Sequence, residues 1–141
     1  WFVFCLLIGN TDNHLKNLSF YMSPEGVVIT PHYDLLSTAV YEPDNGWLKA
    51  RLEWKIGSVK TLGEVSPAYL AELGRILKVP PRLQTQTVSR MVKAIEQQFP
   101  VVYEEIQATP YPTSVSKEGE LRLLRQIQHG VIADMATRLT S

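Results

Sequence analysis

The chain has little cysteine, no excess of charge of either sign and no long apolar run. Its single cysteine, Cys5, lies in an apolar stretch, which excludes an internal disulfide and a cysteine-based zinc site and indicates a reducing cytoplasm. Lys and Arg number 14, as do Asp and Glu, so nucleic-acid binding through overall charge is not expected. The apolar run Trp1–Ile8 is too short to span a membrane, which needs about 20 residues.

The patterning of the 141 residues predicts one mainly α-helical domain. Residues 1–9 are apolar on all sides, which predicts a buried helix that ends at Gly9. Alternation of apolar and charged residues over Leu48–Lys55 favours a strand with one solvated face, or else a linker. Further helices are predicted at Pro67–Leu77, at Leu83–Phe99 ending before Pro100, at Val101–Ala108 ending at a break over 110–112, and from Ser116 to Leu139.

A polar loop after Gly9 holds the residues with the clearest potential for chemistry. It contains Asn10, Asp12, Asn13, His14, Lys16 and Asn17. Ser23-Pro24-Glu25-Gly26 then predicts a turn between two short β-runs, Leu18–Met22 and Val27–Thr30, and Asp34 follows. This hairpin would return Asp34 to the loop. Two carboxylates and a carboxamide at one point are typical of a site for a divalent cation and phosphate.

The spacing from Asp12 to Asn17, D-x-x-x-x-N, suits phosphoryl transfer. One loop can then place a carboxylate at an acceptor hydroxyl and an amide oxygen on a metal ion, with Asp34 as the second ligand. Lys16 is placed to offset charge on the transferred group. The same residue types are also ordinary turn formers, so a polar loop without chemistry is the alternative.

The nearby histidines and Tyr33 are predicted to support this site. His14 fits an acid/base group, a metal ligand or a structural residue bonded to the loop backbone, and we favour the structural role. His32 is expected to pack near the site, and Tyr33 to hold Asp34 in place. A brief helical turn is predicted over Leu35–Thr38.

Two segments, G-N-T-D-N-H-L-K-N-L-S-F and P-H-Y-D-L-L-S-T, resemble the catalytic and metal-binding segments of the HipA-like serine/threonine kinases. These are toxins of bacterial toxin–antitoxin modules, distantly related to protein kinases. The resemblance is dense over residues 7–38 and fades beyond. It implies that Asp12 is the catalytic base and that Asn17 and Asp34 bind Mg²⁺. The family's His-x-Lys-Asn run matches at His14 and Lys16, and Asn10, His14 and Tyr33 are the supporting residues.

The resemblance implies the helical C-terminal lobe of a protein-kinase-like fold, with a small β-hairpin carrying the site. Residues 1–141 would be a partial domain, because the glycine-rich loop and strand lysine that hold ATP lie in another lobe in that family. The fragment alone is therefore expected to be inactive. The implied cofactors are ATP and Mg²⁺. The implied partners are a protein substrate, such as an aminoacyl-tRNA synthetase, and a DNA-binding antitoxin; no membrane is involved.

Two other functions are consistent with the residues. A metal-dependent phosphodiesterase would use Asp12, His14, His32 and Asp34 to bind metal and activate water. A non-catalytic pseudokinase lobe would only dock a partner, and its biological effect would survive loss of Asp12 and Asp34.

Overall fold

The N-terminal apolar segment forms the helix α1 (Phe2–Leu7), and its last three residues are buried. In the computed structural model, which describes residues 1–110 and 114–141, the carbonyl of Cys5 accepts a hydrogen bond from Asn10 N–H at 2.8 Å. Gly9 has φ +66°, a conformation that glycine adopts at little cost. The predicted helix and its end at Gly9 are confirmed.

A hairpin of β1 (Phe20–Ser23) and β2 (Gly26–Ile29) follows the polar loop. Its antiparallel register pairs Phe20 with Ile29 and Ser23 with Gly26, which confirms the predicted turn. Every residue of both strands is exposed. The candidate metal ligands Asn17 and Asp34 lie before β1 and after β2, respectively. Neither residue is part of a strand, so the hairpin connects the two ligand segments but does not contain the ligands.

A second hairpin is formed by β3 (Arg51–Ile56) and β4 (Val59–Thr61). Leu52 and Ile56 are buried while the charged residues between them are exposed, as the alternation predicted. The strand begins at Arg51 rather than Leu48, because Trp47–Lys49 form a 3-10 turn. The predicted turn over Leu35–Thr38 is also displaced, to Thr38–Tyr41.

The helices α2 (Pro67–Ile76) and α3 (Pro81–Ala108) pack against each other. The predicted interruption at Pro100 is wrong, because α3 continues through this residue. A proline inside a helix costs about 3 kcal/mol. Beyond Pro100, Tyr103 contacts Arg125, whose Nε donates to the Tyr103 hydroxyl at 3.1 Å and whose guanidinium lies 5.9 Å from the ring centroid.

The last helical segment is continuous but changes its geometry along its length. It comprises α4 (Ser114–Gln126), a π-helical segment (Ile127–Ile132) and α5 (Ala133–Thr140). This confirms the predicted C-terminal helix, which begins two residues earlier than expected. The predicted break over 110–112 falls largely outside the described residues.

The core lies where α1, β3, α2, α3 and α5 meet. Its buried residues are Leu6, Leu7, Ala39, Ala50, Leu52, Ile56, Leu62, Val65, Tyr69, Leu70, Leu73, Val88, Met135 and Leu139. Burial raises the pKa of Cys5 to about 11 and that of Tyr69 to about 12. Ile76 and Leu77, at the C-terminal end of α2, are each 53% exposed. No described helix is long and apolar enough to cross a membrane.

Candidate functional site: the loop after Gly9 and the segment around Asp34

Asn17 joins the two segments that hold the candidate ligands. Its side-chain Nδ2 donates to the Asp34 carboxylate at 3.0 Å and to the Asp12 carbonyl at 3.0 Å. Asn17 is 4% exposed, whereas Asp34 is exposed. Because the nitrogen makes both bonds, the amide oxygen remains available to a cation. The convergence of these segments, predicted from the hairpin, is therefore present.

Asp12 is open to solvent, since its side chain is 69% exposed. Its side chain lies near that of His14, whose Nε2 is 3.9 Å from Asp12 Oδ1. The other ring nitrogen of His14 is buried and has no hydrogen-bond partner among the described residues. The structural role predicted for His14 thus has no side-chain hydrogen bond to support it. Lys16 is exposed on the same loop.

Tyr33 contacts the loop through its hydroxyl group. The hydroxyl donates to the Lys16 carbonyl at 2.7 Å and lies 2.9 Å from Ser19 Oγ. The ring is 43% exposed, so a hydrogen bond rather than burial connects Tyr33 to the loop. His32 is exposed, and its ring centroid lies 6.5 Å from that of Trp1.

Asn10 contacts the backbone next to both candidate carboxylates. Its Nδ2 donates to the Asp34 carbonyl at 2.7 Å, and its Oδ1 accepts from the Asp12 N–H at 3.0 Å. Asn10 is only 2% exposed. This buried amide therefore links the two segments a second time.

Sequence analysis missed two side chains that hold the loop in place, those of Thr38 and Trp54. Thr38 Oγ1 accepts from Thr11 N–H at 2.8 Å and donates to the Gly9 carbonyl at 3.3 Å. Trp54 Nε1 donates to the Asn13 carbonyl at 2.7 Å. Thr38 ends the quoted P-H-Y-D-L-L-S-T segment, but no local pattern predicts a partner 27 residues away.

The donor set fits Mg²⁺ better than a transition metal. Asn17 and Asp34 offer amide and carboxylate oxygens, and Mg²⁺ usually takes one or two carboxylates with substrate phosphates and water. Within the described part of the chain, no three His, Cys, Asp or Glu side chains form a group that could hold a metal. A phosphodiesterase site built from Asp12, His14, His32 and Asp34 therefore has no support in this geometry.

Part of this sequence is similar to known proteins. The serine/threonine-protein kinase toxin HipA of Shewanella oneidensis is 33% identical over 97 residues, which are 69% of this chain and 22% of that protein. Y4mE of Sinorhizobium fredii is 34% identical over 97 residues, which are 66% of this chain and 22% of that protein. The chain thus spans about a fifth of the length of these curated relatives.

A solved structure shows the same fold. The Shewanella oneidensis MR-1 toxin–antitoxin complex of HipA, HipB and operator DNA contains a chain that superposes with a TM-score of 0.77 at 28% identity. The match covers 99% of this chain and 30% of that chain. Residues 1–99, well over half of the sequence, match the family described as the HipA-like C-terminal domain. The chain belongs to the HipA-like C-terminal domain family.

Proposed function

We propose that residues 1–141 form the C-terminal lobe of a serine/threonine protein kinase that transfers the γ-phosphate of ATP to a protein hydroxyl. One observation carries the proposal: the Asn17 amide lies 3.0 Å from the Asp34 carboxylate while Asp12, five residues earlier, is exposed. Phosphoryl transfer needs a group that accepts the hydroxyl proton and oxygen ligands for a metal on the phosphates. Asp12 would be that proton acceptor, and Asn17 and Asp34 in the adjoining segments would be those ligands.

In this mechanism Asp12 orients the acceptor hydroxyl and takes its proton as oxygen attacks the γ-phosphorus and ADP leaves. Asn17 and Asp34 are the residues that would hold Mg²⁺, which neutralises phosphate charge when bound. Lys16, which is exposed and precedes Asn17 in the sequence, would offset charge on the transferred phosphoryl group. The ATP-holding elements would come from the rest of a longer parent protein.

The family also supports a biological setting. The S. oneidensis relative is named a toxin, and the similar solved structure contains HipB and operator DNA. We therefore propose that the parent is the toxin of a bacterial toxin–antitoxin pair, acting in the cytoplasm. It would bind DNA only through its antitoxin. Its substrate would be a protein of the translation machinery, such as an aminoacyl-tRNA synthetase.

Phosphate transfer by the full-length parent tests the proposal. Asp12→Asn and Asp34→Asn each remove one charge and keep the shape of the side chain. Asn tolerates the left-handed backbone of Asp34, which has φ +56°. Asp44→Asn is the matched control, since Asp44 is exposed and also has φ +56° but lies outside the site.

We expect labelled phosphate from Mg-ATP to appear on the parent or on proteins of a cell extract. Asp12→Asn should lower the transfer rate by about 100- to 10,000-fold, the usual contribution of general base catalysis. Asp44→Asn should transfer phosphate normally. Equal activity of all three variants would refute the assignment of the site. A parent that binds Mg-ATP but transfers nothing would instead be a non-catalytic interaction lobe.

A further inference from the structure

The two segments of the site are distant in sequence, and the buried side chain of Asn10 holds the backbone of both. Asn10 Nδ2 donates to the Asp34 carbonyl at 2.7 Å, across 24 residues of chain. Its Oδ1 accepts from Asp12 N–H at 3.0 Å. One rigid amide therefore spans the gap between the proposed base and the proposed metal ligand.

The bond to Asp34 matters because that residue has an unfavourable backbone conformation. Asp34 has φ +56°, which costs roughly 1–2 kcal/mol for a residue other than glycine. Such a conformation persists only where its surroundings hold it. Three contacts do so in this structure: Asn10 on the carbonyl, Asn17 on the carboxylate, and Tyr33 at the preceding position, bonded to the Lys16 carbonyl.

A second, separate link joins the same two segments. Thr38 Oγ1 accepts from Thr11 N–H at 2.8 Å, lies 3.0 Å from Thr11 Oγ1 and donates to the Gly9 carbonyl at 3.3 Å. This link lies four residues beyond Asp34 and contacts neither carboxylate residue. It provides an internal comparison for Asn10.

We propose that Asn10 is a positioning residue that couples the metal ligand to the base. It holds the Asp34 backbone so that the carboxylate meets Asn17, and it holds Asp12 at a set distance from that pair. The proposal rests on the kinase function proposed above. Loss of the amide would therefore weaken metal binding directly, whereas loss of the Thr38 hydroxyl would loosen the loop and leave Asp34 held.

Three variants of the full-length parent test this role. Asn10→Leu removes both hydrogen bonds at similar volume, and Asn10→Ser does so with a smaller polar side chain in case the leucine variant does not fold. Thr38→Val removes the second link at nearly constant shape. Mn²⁺ binding in the presence of ADP, followed by electron paramagnetic resonance, reports on the metal site without requiring catalysis.

We expect the Asn10 variants to weaken Mn²⁺ binding by about 10- to 100-fold, the usual effect of losing a residue that orients a metal ligand. Amide hydrogen exchange should accelerate at Asp12 in the Asn10 variants and at Thr11 in Thr38→Val. The Thr38→Val variant should keep near-normal Mn²⁺ affinity. Equal loss of Mn²⁺ affinity in the Asn10 and Thr38 variants, or none in either, would overturn the proposal. If the unchanged parent binds Mn²⁺-ADP but transfers no phosphate, the kinase function fails while these comparisons still decide the role of Asn10.

Discussion

Gly9, where α1 ends and the candidate site begins, is predicted to tolerate no side chain. A Cβ at this position would lie 2.5 Å from Val131 Cγ1 and 3.1 Å from Ala39 Cβ. Both neighbours are buried, at 0% and 1% exposed, so neither can move into solvent. Gly9→Ala should cost roughly 1–2 kcal/mol for its φ of +66° and about 1–3 kcal/mol for overpacking. The expected loss in the free energy of unfolding is therefore about 2–5 kcal/mol.

Urea unfolding of the 141-residue chain, followed by tryptophan fluorescence, measures this loss. Gly57→Ala separates strain from crowding, because Gly57 has φ +60° but would place its Cβ in open space. It should cost only the roughly 1–2 kcal/mol of backbone strain. In Gly9→Ala/Val131→Ala the crowding is relieved, so the double variant should be about 1–3 kcal/mol more stable than additivity predicts. Equal losses for Gly9→Ala and Gly57→Ala, or strictly additive costs, would refute the close packing of Val131 on Gly9.

Three further predictions concern the last helix, the thiol and an acidic side chain. Gly130→Ala should lower the free energy of unfolding in urea by about 1–3 kcal/mol, because its Cβ would lie 2.9 Å from the Trp47 ring. Gly119→Ala is the control, since Gly119 lies on the same helical segment with open space around it, and this variant should not be destabilised in this way. Cys5, whose burial raises its pKa to about 11, should resist Ellman's reagent at pH 8 until the chain unfolds, and rapid labelling of the folded chain would contradict this. Hydrogen bonds from the backbone N–H groups of Lys60 and Thr61 lower the pKa of Glu64. The carboxylate therefore stabilises the fold at pH values above its unfolded-state pKa, and this contribution is lost as pH falls through the folded-state pKa. Glu64→Gln should lower the free energy of unfolding at pH 7, and the difference from the unchanged chain should vanish in acid.

Local chemistry predicted the elements that frame the site. The turn residues Ser23–Gly26 determine a hairpin, and Gly9 ends α1 because the chain needs a left-handed conformation there. A hairpin that starts after Asn17 and ends before Asp34 must return the chain close to its origin. This is why the Asn17–Asp34 contact followed from the sequence, although their roles as metal ligands stay a prediction.

The failures have tertiary causes. A single proline predicts an interruption, but α3 continues through Pro100, packs against α2 and contacts Arg125 through Tyr103. The local pattern predicts a turn over Leu35–Thr38, but the Thr38 hydroxyl and Ala39 N–H both donate to the Gly9 carbonyl and the turn forms over Thr38–Tyr41. In each case a segment distant in sequence contacts the region where the structure differs from the local pattern.

The sequence by itself determined most of the helix positions, the first hairpin, one strand of the second hairpin and the polar loop, because periodicity, caps and turn residues act over a few positions. Only the tertiary structure decided what supports that loop. Asn10 meets Asp34 across 24 residues, Thr11 meets Thr38 across 27, and Trp47 donates to Asp134 across 87, at 2.6 Å. Hydrogen bonds of this kind depend on where whole elements pack, and no local pattern in a single sequence specifies the partner.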